Sequence, residues 1–195
     1  MVERISGYVI GPAREDALAL LPDIERAAVA MFSEKDIPRR LREGVLPIAF
    51  FETAACEGRL FVVTEAARGI PVGFAATIRI DGASHLYEMD VLPEHGRQGL
   101  GRRLVEVVVE RARELGDPSV TLTTFRHVAW NAPFYSKLGF EIVSGDALGP
   151  ELAACLETEA RRGLDRSKRV AMRLALEVSG SRESDAGPTQ ACAST

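Results

Sequence analysis

The 195 residues, 46% hydrophobic and 27% charged, suit one ordinary globular domain and exclude wholesale disorder or a fibrous repeat. With 24 basic against 28 acidic side chains, the net charge of −4 argues against a dedicated nucleic-acid binder. The longest apolar run, 45–51, is far short of the roughly 20 residues of a membrane span, and the N-terminus carries no apolar signal core, so a cytoplasmic protein is expected. Cys56, Cys155 and Cys192 form no CxxC pair, and His85, His95 and His127 lack metal-ligand spacing, so neither a disulfide framework nor a metal site is expected.

In chain order, 5–10 reads as a short strand closed by Gly11-Pro12. Leu18, Leu21, Ile24, Ala28 and Met31 recur at three- and four-residue steps and predict a helix over 14–33. Shorter helices are expected at 37–43 and 47–57, separated by Gly44 and Pro47. Three β-branched or aromatic runs, 59–65, 72–80 and 84–92, are divided by Gly69-Ile70-Pro71 and by Asp81-Gly82, as consecutive antiparallel strands should be. The stretch 99–115 is a strongly amphipathic helix, with Leu100, Leu104, Val107, Val108, Ala112 and Leu115 on one face. Gly116-Asp117-Pro118 stops it. A strand at 119–124, a helix at 130–138, a strand at 140–143, a helix at 149–162 and a strand at 168–177 complete a single α/β domain over 3–177. The Ser-, Gly-, Asp- and Thr-rich stretch 179–195 reads as a disordered tail.

One segment carries chemistry. Gly96, Gly99 and Gly101 stand at the mouth of the helix that starts near residue 99, directly after a strand. A helix N-terminus presents unpaired N–H groups and partial positive charge, and glycines let an anion approach the backbone. Arg97, Arg102 and Arg103 add cationic charge at the same place. These features fit a diphosphate site or a Gly-rich turn that merely caps a helix; the spacing G-x-x-G-x-G is not the dinucleotide fingerprint, and no Gly-Lys-Ser/Thr of a P-loop is present.

Downstream, Trp130-Asn131-Ala-Pro133-Phe134-Tyr135-Ser-Lys-Leu-Gly139-Phe140 completes the picture. With Val91-Leu92-Pro93 and the Gly96–Gly101 loop in that order, the sequence resembles the GNAT superfamily of acyl-CoA-dependent N-acetyltransferases over residues 3–177. The form Trp-Asn-x-Pro-Phe-Tyr is similar to that of a bacterial subgroup. Gly96 departs from the pattern, since the family usually has Arg or Gln there.

The resemblance implies an α/β GNAT fold, a mixed and mainly antiparallel sheet of six to seven strands flanked by helices. It implies acetyl-CoA as co-substrate, no metal, and a primary amine of a small molecule as acceptor, attacked in a ternary complex. The alternatives are acetylation of a protein lysine or N-terminus, and a non-catalytic acyl-CoA sensor. Val91, Arg97, Gln98, Gly99, Gly101, Arg102 and Asn131 are the expected cofactor contacts, with Arg97 or Gln98 supplying the donor that Gly96 lacks. Tyr135 is the expected general acid and Glu88 the expected base, with Asp90 sharing its face and His85 and His127 as further candidates by chemistry. The amine pocket is expected under the N-terminal helical region that includes Phe32, Phe50, Phe51 and Glu52. No nucleic-acid or membrane partner is expected, and pairing into a homodimer is left open.

Overall fold

The computed structural model describes residues 2–177, so the stretch 179–195, with Cys192, lies outside the described residues. The expected strand at 5–10 is a hairpin instead: β1 (Glu3–Ile5) and β2 (Tyr8–Pro12) are joined at Gly7, whose φ of 81° only glycine adopts without strain. The helix expected over 14–33 is broken into α1 (Glu15–Leu18) and α2 (Leu21–Val29). Pro22 explains the break, because it lacks the N–H that would bond Leu18 and its ring crowds that carbonyl. Two short helices follow, α3 (Arg39–Arg42) and α4 (Ile48–Cys56).

Strands β3 (Leu60–Glu65), β4 (Ile70–Ile80) and β5 (Ala83–Val91) form a meander. Asp81 and Gly82 both have positive φ, as a tight two-residue hairpin turn requires. Helix α5 (Leu100–Glu114) then crosses to β6 (Ser119–Phe125). The chain closes with α6 (Ala132–Ser136), β7 (Glu141–Val143), α7 (Pro150–Arg162) and β8 (Arg169–Ala175). Asp81 caps α7, its carboxylate accepting from the backbone N–H of Glu151 and of Leu152 at 3.0 and 2.9 Å.

All eight strands form one sheet in the order β1-β2-β3-β4-β5-β6-β8-β7, more than the six or seven expected. The extra strand arises because the single strand expected at 5–10 is a two-stranded hairpin. Every pair is antiparallel except β5 with β6. On one face α5 buries Leu100, Leu104, Val108 and Ala112 against Phe61, Val63, Ala75, Leu86 and Leu122. On the other, α1, α2 and α4 cover Leu60, Val62, Phe74 and Ala76, while α7 covers Ile80 and Ala171. Among the described residues no helix is long and apolar enough to cross a membrane.

Candidate active site

The site begins where the sheet opens. β5 and β6 pair in parallel only at Ser84–Leu86 with Val120–Leu122, although β5 continues to Val91 and β6 to Phe125. Beyond Leu86, therefore, β5 keeps its β4 partner while its backbone groups toward β6 have none from that strand. Tyr87 adds a bulge at this point: Ala76 pairs with Glu88 and Thr77 with Leu86, leaving Tyr87 as the extra residue. After the bulge Met89 and Val91 pack toward α5, while Glu88 and Asp90, opposite Ala76 and Phe74, belong to the α2 side.

The Gly-rich loop lies directly beyond the end of β5. A 3-10 turn at Pro93–His95 leads into Gly96, where a Cβ would stand 3.0 Å from the Pro93 carbonyl oxygen. That close approach gives a steric reason for the glycine in place of Arg or Gln. Arg97 has φ 58° and Gly99, the N-cap of α5, has φ 82°. Around the position of a Gly99 Cβ nothing lies within 4 Å, so the chain is open to solvent at the start of α5. A Gly101 Cβ would meet Met89 and Phe134 at 3.7 Å, which puts the first turn of α5 against both β5 and α6.

The other sequence-named contacts are partly engaged within the protein. Gln98 Oε1 is 3.2 Å from the Tyr8 hydroxyl, which also lies 2.8 Å from His95 Nδ1, so the N-terminal hairpin braces this loop. Arg102 is exposed and paired with Glu106 at 3.1 Å. Asn131 Oδ1 accepts from Thr124 Oγ1 at 2.8 Å and from Phe125 N–H at 3.3 Å, fastening the end of β6 to the start of α6. That oxygen is therefore spent on structure, and the amide nitrogen is the Asn131 group left for a ligand.

Tyr135 is buried, its ring against Phe134 and Phe140, and its hydroxyl has no hydrogen-bond partner among the described residues. Burial raises its pKa, and nearby Glu88 and Asp90 raise it further, so the phenol keeps its proton. Burial likewise pushes Glu88 up to about 8, helped by the charge of Glu25 on α2 and opposed by Arg169. Burial raises the pKa of Asp90, and nearby Glu88 and Glu25 raise it further. Its Oδ2 is buried without a hydrogen-bond partner.

Several expected site residues stand elsewhere. Phe51 is wholly buried in the core under α1 and α2, and Glu52 is exposed, lining a groove between α1 and α4 with Glu15 and Ile48. Phe50 packs on Tyr87 at 5.3 Å between ring centroids, and Phe32 on Phe125 and Trp130 at 5.5 and 5.8 Å, so these two approach the split. His85 is buried beside Thr121 Oγ1, and burial lowers its pKa to about 4, which makes it a neutral core histidine. His127 is half exposed and pairs with Asp36 at 3.0 Å. Among the described residues no three His, Cys, Asp or Glu side chains could hold a metal together.

Sequence reasoning missed two groups. Arg169 lies over Phe125 at 4.5 Å and is held by Glu159 through two bonds of 2.8 and 2.7 Å. Glu25 is four residues after Leu21, which places it on the border of the buried stripe of α2; that periodicity was the available signal.

Residues 57–142 match the family described as acetyltransferase (GNAT) domain. Over that span the chain is similar to a GNAT acetyltransferase domain. Its fold is similar to the ribosomal-protein-S18-alanine N-acetyltransferase from Escherichia coli, at 20% identity and TM-score 0.63, over 90% of this chain and 97% of that one. It is also similar to the PaiA N-acetyltransferase from Thermoplasma acidophilum in complex with coenzyme A, at 16% identity and TM-score 0.62, over 87% of this chain and 99% of that one. The N-acetylglutamate synthase from Neisseria gonorrhoeae, complexed with coenzyme A and N-acetyl-glutamate, matches at 16% identity and TM-score 0.62 over 89% of this chain but 36% of that one.

Proposed function

We propose that this chain is an N-acetyltransferase that moves an acetyl group from acetyl-CoA to a primary amine of a small molecule, within one domain spanning 3–177. The observation that carries this reading is the placement of Glu88, Asp90 and Tyr135 at the split between β5 and β6, beside the open mouth of α5. The backbone N–H groups at Gly99 and Gly101, with Arg97 and Arg102, receive the diphosphate, and Gln98 and Asn131 offer side-chain amides. Val91, at the end of β5, offers backbone groups to the pantetheine arm and a donor to the thioester oxygen.

Acetyl-CoA supplies an activated acetyl thioester. Glu88 takes the proton of the acceptor ammonium, leaving a neutral nitrogen; with its pKa near 8 it is matched to an amine at mildly alkaline pH. That nitrogen forms the new N–C bond as the C–S bond breaks, and the surplus proton it then carries passes through water to restore the Tyr135 phenol once that has protonated the sulfur. Tyr135 gives its proton to the departing sulfur, and its free hydroxyl supports that role.

Turnover of acetyl-CoA, followed by thiol release against a panel of small amines and short peptides, tests the reading. Thiol release with small amines supports it. Transfer to peptides alone would move the acceptor to protein amino groups, as for the ribosomal-protein-S18-alanine N-acetyltransferase of Escherichia coli. Acetyl-CoA binding without transfer to either would leave a sensor module.

A further inference from the structure

Arg97, in the Gly-rich loop, is held in a backbone conformation that its own side chain disfavours. Its φ of 58° lies in the left-handed region, which an arginine keeps only where the surrounding structure imposes it. The residues on either side do not impose it by packing, since Gly96 has no side chain and Gln98 is exposed. The hold comes from outside the loop. The Tyr8 hydroxyl lies 2.8 Å from His95 Nδ1 and 3.2 Å from Gln98 Oε1, so one oxygen grips the chain two residues before Arg97 and one residue after it.

Tyr8 is a rigid mount for that oxygen. It stands in β2 opposite Ile5 of β1 and Glu65 of β3, and its ring packs on the apolar layer that α5 also covers. The same ring meets that of His95 edge-on, with 5.7 Å between centroids. A phenol has one proton to give. Gln98 Oε1 can only accept, so it takes that proton, and the phenol oxygen accepts in turn from His95 Nδ1–H. Gln98 is thereby left with its amide nitrogen as the group for a ligand, and that nitrogen has no partner among the described residues.

We propose that Tyr8 is a positioning residue for the diphosphate of acetyl-CoA. Its hydroxyl, acting through His95 and Gln98, keeps Arg97 in the left-handed conformation and fixes the Gln98 amide, so two donors are prearranged beside Gly96, which offers none. The proposal rests on the acetyl-CoA reading above and deepens its cofactor site. Without the hydroxyl the loop has to be ordered as the cofactor binds, and affinity falls accordingly. The thioester end of the cofactor, assigned to Val91 and Tyr135, does not depend on it.

The test sets acetyl-CoA against S-acetylpantetheine, which carries the thioester and its arm without the diphosphate. Tyr8→Phe keeps the ring and its contact with His95, so the melting temperature without ligand should match the parent. KM for acetyl-CoA should rise about three- to tenfold, the size of one lost hydrogen bond, with kcat retained. The kcat/KM for S-acetylpantetheine should stay at the parental value. The losses of acetyl-CoA affinity in Tyr8→Phe and Gln98→Leu should overlap rather than add, because both break the same linkage. A parental KM for acetyl-CoA in Tyr8→Phe, an equal loss with S-acetylpantetheine, or full additivity with Gln98→Leu overturns the proposal.

Calorimetric titration of coenzyme A into the parent and Tyr8→Phe separates this from the transferase reading. Weaker binding in Tyr8→Phe, with no acetyl transfer by the parent to any amine, sustains the role of Tyr8 and removes the transferase. Transfer by the parent, with equal coenzyme A affinity in the two proteins, removes the role of Tyr8 and sustains the transferase. Absence of coenzyme A binding by the parent removes both.

Discussion

Burial acts in opposite directions on the proton-carrying side chains of the site. A carboxyl in low dielectric holds its proton longer, an imidazole gives it up sooner, and a phenol keeps it throughout the working range. Glu88 follows the first rule, His85 the second and Tyr135 the third. Tyr135→Phe preserves the ring packing against Phe134 and Phe140, so a loss of rate reports the hydroxyl alone. We expect kcat to fall about 10²-fold, the lower end of the range for general acids, because a thiolate is already a fair leaving group. Acetyl-CoA affinity, read by calorimetry, should stay at the parental value; a parallel drop would make the hydroxyl a cofactor contact.

The same physics fixes a pH dependence. A base with pKa about 8 works only when deprotonated, so kcat/KM should climb as pH rises through about 8 and level off above it. Stability runs the other way. From the ordinary value of 4.5 up to about 8 the unfolded state has lost the Glu88 proton while the folded state keeps it, so stability declines as pH rises across that window. Glu88→Gln removes the penalty. Its melting temperature should exceed the parent by a few degrees, about 2–6 °C, at pH near 8 and converge with it at acid pH. A variant less stable than the parent at both pH values would show that the carboxylate is satisfied in the fold.

At the scale of elements, what was legible in the sequence is what local chemistry decides. The apolar stripe of α5, the Asp81-Gly82 turn and the glycines at the helix mouth each announce themselves within a few residues. The break at Pro22 was equally local, yet the periodicity running on both sides of it masked it. The bulge at Tyr87, the bond from the Leu46 N–H to Glu25 and the bracing of the Gly-rich loop by Tyr8 depend on contacts between distant segments, which no window of sequence contains. Gly73 shows how tightly β4 controls the site. A Cβ there would stand 2.8 Å from the Asp90 carbonyl oxygen and 3.0 Å from Val91 Cγ2. Gly73→Ala should therefore push the end of β5 out of place, lowering stability by about 1–3 kcal/mol in denaturant titration and weakening acetyl-CoA binding. Gly101→Glu acts by charge, since it sets a carboxylate at the mouth of α5, and it should abolish the rise in melting temperature expected of the parent in the presence of acetyl-CoA.

For the whole molecule, β8 is the last element among the described residues, and the Leu176 N–H ties the chain after it to the Pro118 carbonyl at 2.9 Å. Removing residues 180–195 should leave both the melting temperature and acetyl-CoA binding unchanged; loss of soluble protein would show that the stretch docks on the domain.

The sheet also ends abruptly on both sides. Its outermost strands, β1 and β7, have three residues each, and Arg4 and Glu141 place charge on them. A row of unpaired backbone groups is a template on which another chain can add, and a template this short and charged offers little purchase. The eight-stranded sheet is thereby protected from edge-to-edge growth into fibrils, so its concentrated solutions are disfavoured from β-aggregation by the geometry of the two shortest strands it contains.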